Sequence, residues 1–205
     1  MTTRAVTSLY DSYQDAAQTV RDLENAGIPH DDISVVASKL DRGLADPDAN
    51  NAGTGAATGA SIGGALGGGA GLLAGLGMLA IPGVGPVVAA GWLVATAVGA
   101  VAGAGAGAAA GGVIGSLTKA GVSEDHAHVY LEGVRRGGTL VTARVADTQV
   151  PMVEPIMRRH HPVNPDMRGK AYRAQGWTAF DENAAPYTAS ELERERARDR
   201  IDAPH

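Results

Sequence analysis

Between Ala49 and Thr118 the chain carries no charged side chain, and glycine recurs there at four-residue spacing along two successive segments of helix length. The first row is Gly55, Gly59, Gly63, Gly67, Gly71 and Gly75. The second is Gly91, Gly99, Gly103, Gly107, Gly111 and Gly115, with Ala95 at the one gap. Small residues at this spacing let helix backbones approach closely, as in helices packed within a membrane or a tight assembly. Each glycine costs a helix about 1 kcal/mol relative to alanine, so such helices need a supporting environment.

Read this way, Thr54 to Ala80 and Val87 to Ser116 are two helices joined by the reversal Ile81-Pro82-Gly83-Val84-Gly85-Pro86, whose prolines and glycines break both. At about 1.5 Å per residue they are long enough to cross a hydrocarbon core of about 30 Å. Steps of four residues advance about 40° around a straight helix, so a six-glycine row winds past any single straight neighbour. Contacts within the hairpin and between chains are therefore expected, hence a homo-oligomer. Two features oppose a membrane crossing: the windows hold few large apolar side chains, and the reversal has no polar residue to meet water.

The flanks are ordinary by comparison. Of the 29 glycines in 205 residues, 21 lie between Gly53 and Gly115. The net charge of -5 and the absence of a basic patch argue against nucleic acid as a partner. Without cysteine there is neither a disulfide nor thiolate chemistry. No apolar run marks a signal peptide near Met1, which favours a cytoplasmic start.

Residues 4 to 37 read as strand, helix, strand. Val6 to Tyr10 is extended; Ser12 with Asp15 resembles a capping box; Tyr13, Ala16, Ala17, Val20 and Leu23 repeat at helical spacing until Gly27. Ile33 to Ala37 is the second strand, and a polar linker follows from residue 38 to 53. After the block, Ser123 caps a helix whose apolar face is Ala127, Tyr130, Leu131 and Val134, with Arg135 and Arg136 in its last turn. Thr139 to Val145 is a strand, Val150 to Arg159 a helix weakened by Pro155, and Val163 a short edge strand. Neither flank alone supplies a good core, which favours one split domain over the alternative of two unrelated halves. The expected fold is therefore α+β: a small split α/β sandwich (β-α-β, then α-β-α-β) interrupted by a glycine-rich helical hairpin. Its segments are residues 1–48 and 119–168 for the two halves, 49–118 for the hairpin, and 169–205 for a polar tail. That tail holds a loose aromatic patch and a short helix capped by Ser190 and Glu193.

Catalytic chemistry finds no support. G-x-G-x-x-A spacing at Gly69, Gly71, Ala74 and at Gly103, Gly105, Ala108 follows from the repeat itself, and Lys119 lacks the context of a phosphate-binding loop. His126 with His128, and His160 with His161, lack the spacing of a helical metal site and read as solvated histidines. No catalytic, cofactor-binding or metal-ligating residue is nominated, and no cofactor is expected.

Three stretches, SLYDSYQDAAQTVRDLENAGIPHDDISVVA at 8–37, the block with its AIPGVGPVVAAG reversal, and EDHAHVYLEGVRRGGTLVTARV at 124–145, resemble the bacterial general stress protein 17M-like domain family. The tail segment QGWTAFDENAAPYTASELERER is similar to a recurrent bacterial ending. The resemblance implies a stress-associated protein, often membrane-associated, with no established reaction. The expected function is nonenzymatic: the glycine hairpin mediates membrane anchoring, oligomerisation or both, at the cell membrane with cytoplasmic termini. The alternative is a soluble, cytoplasmic self-assembling protein with the hairpins as its core. A small-molecule sensor is a third reading, for which no residue nominates a ligand.

Overall fold

The computed structural model describes residues 3–38, 77–93 and 108–202. Strand β1 is Thr3–Tyr10, helix α1 Tyr13–Asn25 and strand β2 Ile33–Ser38. Strands β3, Gly77–Ile81, and β4, Gly85–Ala90, follow. Helices α2, Ala108–Lys119, and α3, Glu124–Arg135, lead to strand β5, Thr139–Ala146. The chain ends in helices α4, Val150–Arg158, α5, Pro165–Ala174, and α6, Ala189–Asp202.

The five strands form one antiparallel sheet in the order β1-β5-β2-β4-β3. Successive side chains on a strand point to opposite faces, and here both faces are buried. On one face Leu9, Val36, Val87, Ala89 and Leu140 pack with Val113 and Leu117 of α2 and with Ala127, Tyr130, Leu131 and Val134 of α3. On the other, Tyr10, Ile33, Val35, Val141, Ala143 and Val145 pack with Ala16, Val20 and Leu23 of α1 and with Val153, Ile156 and Met157 of α4. The expected α+β class holds, and residues from both flanks build one sheet.

Local signals explain the well-read elements. Ser12 Oγ accepts from the backbone N–H groups of Gln14 and Asp15 at the start of α1. Ser123 Oγ accepts from His126 N–H at the start of α3. Gly27 and Gly137, both at positive φ, end these two helices.

The central correction concerns residues 77 to 93. Where the sequence reading ran helices to Ala80 and from Val87, the chain forms a β-hairpin, and β4 pairs with β2 over Val35–Ser38. Every residue of β2 is buried, so its backbone needs partners on both edges; β5 supplies one and β4 the other. Gly91, assigned to the second helical row, instead ends β4 at φ 94°, where its backbone lies against Ile33 and Ser34 and a side chain would collide. Ser34 Oγ then accepts the N–H of Leu93 at 2.9 Å. The reversal at 81–86 is where it was expected, with Val84 N–H bonded to Ile81 O, but it joins strands.

Of the helical rows, Gly55, Gly59, Gly63, Gly67, Gly71, Gly75, Gly99, Gly103 and Gly107 lie outside the described residues, as does most of the polar linker. Val163 is not a strand; its N–H donates to Leu9 O at 2.8 Å beside β1. The unexpected α5 starts just after it, with Asn164 Oδ1 accepting from Met167 N–H and Pro165 in the first turn.

Candidate functional site

The densest polar arrangement in the described molecule lies on α3, where two stripes do different work. Ala127, Tyr130, Leu131 and Val134 face the sheet. His128, Glu132, Arg135 and Arg136, related by steps of three, four and eight residues, face the C-terminal segment. Glu132 is fully buried, and its carboxylate accepts from Arg136 Nε at 2.7 Å and from Arg135 Nη1 at 3.3 Å. Arg136 also donates to Glu195 of α6 and to Gln175. Burial pulls the Arg136 guanidinium down, but the hydrogen bond and charge of Glu132 outweigh it and hold its pKa above the ordinary value. Two arginines and two glutamates thus balance within a half-dry cluster.

Aromatic rings complete it. Arg136 stacks over Tyr172 at 4.1 Å and Arg135 over Tyr187 at 4.9 Å. Tyr172 meets Trp177 edge to face at 5.7 Å. The tail read as a loose patch is therefore docked. Phe180 enters the core beside Ile81 and Val84, and its N–H donates to His128 Nδ1 at 3.3 Å. Arg135 Nη2 donates to Ala185 O at 2.9 Å, and Leu192 is fully buried. Helix α6 is capped two residues earlier than expected: Thr188 pairs with Glu191, through both its N–H and its hydroxyl.

This docking explains the apolar reversal. Gly83 sits against the backbone of Asp181 and Glu182 and the ring of Phe180, and Gly85 against Pro186. Ile81 and Val84 are buried. The loop needs no polar residue because the tail, rather than water, covers it.

The histidines are separated. His126 pairs with Asp166 at 2.9 Å, His160 with Asp22 at 2.9 Å, and His30 with Glu24 at 3.2 Å. No group of three or more His, Cys, Asp or Glu able to hold a metal occurs among the described residues.

Of the nominated packing glycines, Gly111 and Gly115 are described within α2. Val113 and Leu117 turn inward to the core, and a two-residue offset places Gly111 and Gly115 on the opposite side. No described residue comes within 4 Å of a Cβ placed at either glycine. No helix among the described residues is long and apolar enough to cross a membrane.

Residues 5–83, from β1 through the β3–β4 reversal, match the family model of the heat induced stress protein YflT domain. Over these residues the chain is similar to that family. It is the general stress protein 17M-like family that residues 8–37 resemble. No curated protein and no solved structure matches the chain. The YflT domain match ends at Gly83, so β4, the α3 cluster and the docked tail lie beyond it.

Proposed function

We propose that this is a nonenzymatic, stress-associated protein that assembles with copies of itself through its glycine-rich segments, with membrane anchoring as the further role of the same segments. The family supports the stress association. The observation that carries the assembly reading is the outward glycine face of α2, where Gly111 and Gly115 oppose the buried Val113 and Leu117. A helix that hides its larger apolar residues on one side and bares glycine on the other allows a second backbone to approach closely.

Residues 77–81 and 85–90 are strands of the sheet, so the two helices read from the sequence do not run over them.

The test is Gly115→Leu, alone and with Gly111→Leu. A Cβ at either position meets no described atom beyond its own stretch of α2, and leucine raises helix propensity, so the domain should stay folded while the native assembly dissociates in sedimentation. A wild-type protein that is monomeric without detergent and fully released from membranes by carbonate would defeat both roles.

A further inference from the structure

We propose that His128 is an acid-sensitive latch on residues 178–184: protonation of its imidazole frees this stretch from the β3–β4 reversal while residues 185–195 stay docked. The device is independent of assembly.

It follows from which atoms meet. The backbone N–H of Phe180 donates to His128 Nδ1 at 3.3 Å. A backbone amide nitrogen can only donate, so Nδ1 must present its lone pair and the ring proton sits on Nε2. Once both ring nitrogens carry protons, two donors oppose each other and the bond is lost. Imidazole is the side chain whose charge ordinarily changes between about pH 5 and pH 8.

Three other histidines respond in the opposite sense. His126 lies 2.9 Å from Asp166, His160 2.9 Å from Asp22 and His30 3.2 Å from Glu24. Each of these imidazoles gains attraction to a carboxylate on protonation. Acid therefore tightens α3 against α5 and α4 against α1, while it loosens the tail at Phe180.

The surrounding charges do not rescue the bond. On α3, Glu124 and Asp125 lie one turn before His128 and Glu132 one turn after it, the last already shared by Arg135 and Arg136. From α5, Asp166 is held by His126 and Arg173 lies 4.0 Å from Asp125. From the tail, Asp181 and Glu182 follow Phe180, and Asp181 Oδ1 accepts from Asn183 N–H at 2.8 Å. The reversal over 81–86 brings no charge. Attraction to any of these carboxylates favours the protonated ring and returns no acceptor to Phe180 N–H.

The extent of release is set by the remaining anchors. Upstream, Trp177 packs edge to face on Tyr172. Downstream, Arg135 donates to Ala185 O and stacks on Tyr187, Arg136 pairs with Glu195, and Leu192 is buried. Between them Thr178, Ala179, Asp181, Glu182 and Asn183 are exposed and only Phe180 is buried. A stretch with so few buried contacts opens locally when one of its bonds is lost.

The test is hydrogen exchange on the full chain at about pH 7.5 and about pH 5.5, on either side of imidazole titration, each rate divided by the intrinsic rate at that pH. Protection of residues 178–184 and of Val84 beneath them should fall about tenfold in acid, the scale of losing one buried hydrogen bond, with β1 and β5 unchanged. His128→Asn offers a carbonyl oxygen near the place of Nδ1 and does not titrate, so its protection should be the same at both pH values. His128→Ala has no acceptor and should protect the stretch poorly at both. Wild-type protection that is unchanged or higher in acid overturns the proposal, and so does a fall shared by β1 and β5. An acid-induced fall of the same size in His128→Ala also overturns it, because Glu132 or Glu195 is then the responding group. Should His128→Asn fail to hold the stretch at neutral pH, His128→Ala alone decides.

Discussion

Glu132 is the residue on which the α3 cluster turns, because a buried carboxylate is tolerable only while Arg135 and Arg136 both reach it. Glu132→Gln leaves two guanidinium groups facing an amide, and should cost about 3 kcal/mol in urea unfolding, the scale for breaking a buried pair. An unchanged midpoint would mean that the arginines find other partners. Tyr130 makes a different statement. Burial, with a smaller contribution from Asp166, pushes its phenol up to about 12 from 10.0. The folded state therefore holds this proton more tightly than the unfolded chain does, so the stabilisation is complete below pH 10 and is lost as pH rises through about 12. Two units correspond to about 3 kcal/mol. Tyr130→Phe should flatten that alkaline loss in denaturation series, while near neutrality it forfeits only the 3.3 Å bond to Thr7 O, worth about 1 kcal/mol.

Helix α4 is tied to α1 by Asp22, whose carboxyl His160 and Arg159 hold below its ordinary value against the opposing effect of burial. A carboxylate with a depressed folded pKa stabilises above its unfolded value, here 3.8, and that contribution disappears as pH falls through the folded one. Asp22→Asn should remove this part of the acid limb, seen as a shallower dependence of the urea midpoint below about pH 4. An unaltered limb would show the pair to be inert. Elements such as α1 and α3 were legible in the sequence because several local signals agree: Ser12 and Ser123 as caps, Gly27 and Gly137 as stops, and a periodic apolar face between them. The hairpin β3–β4 carried no such agreement. In an uncharged run neither the two-residue nor the helical period stands out, and what decides between them is the unfilled edge of β2, a distant element. Helix α5 was hidden because Pro165 breaks helices in their interior yet suits a first turn. The docking of the tail was hidden for a third reason. Alternating charges along α6 look the same on a solvated helix and on one whose Leu192 and Glu195 are buried. Likewise the stripe His128-Glu132-Arg135-Arg136 was visible in sequence, but its purpose depends on a tail that meets it only in space.

At the scale of the whole molecule, β1 and β2 of the N-terminal flank pair directly with β5 of the C-terminal flank, and the block adds its hairpin at the other edge of β2. Strand β2 joins β5 to β4, so N-terminal, central and C-terminal residues share one cooperative unit. Val87 tests this directly. It is fully buried in β4, beneath the same helices that cover Leu9 and Leu140. Were it part of a separate helix leaving the domain, truncation would spare the α/β sheet. In the observed fold Val87→Ala opens a cavity in the shared core, and should lower global stability by about 2 kcal/mol, within the range for removing buried methyl groups. Urea unfolding followed by far-ultraviolet dichroism, with Val36→Ala as the reference from the N-terminal flank, provides the measurement. Both substitutions should shift one common transition. A Val87→Ala protein whose β1, β2 and β5 exchange protection equals that of wild type would show instead that the hairpin is an appendage of the sheet rather than a part of it.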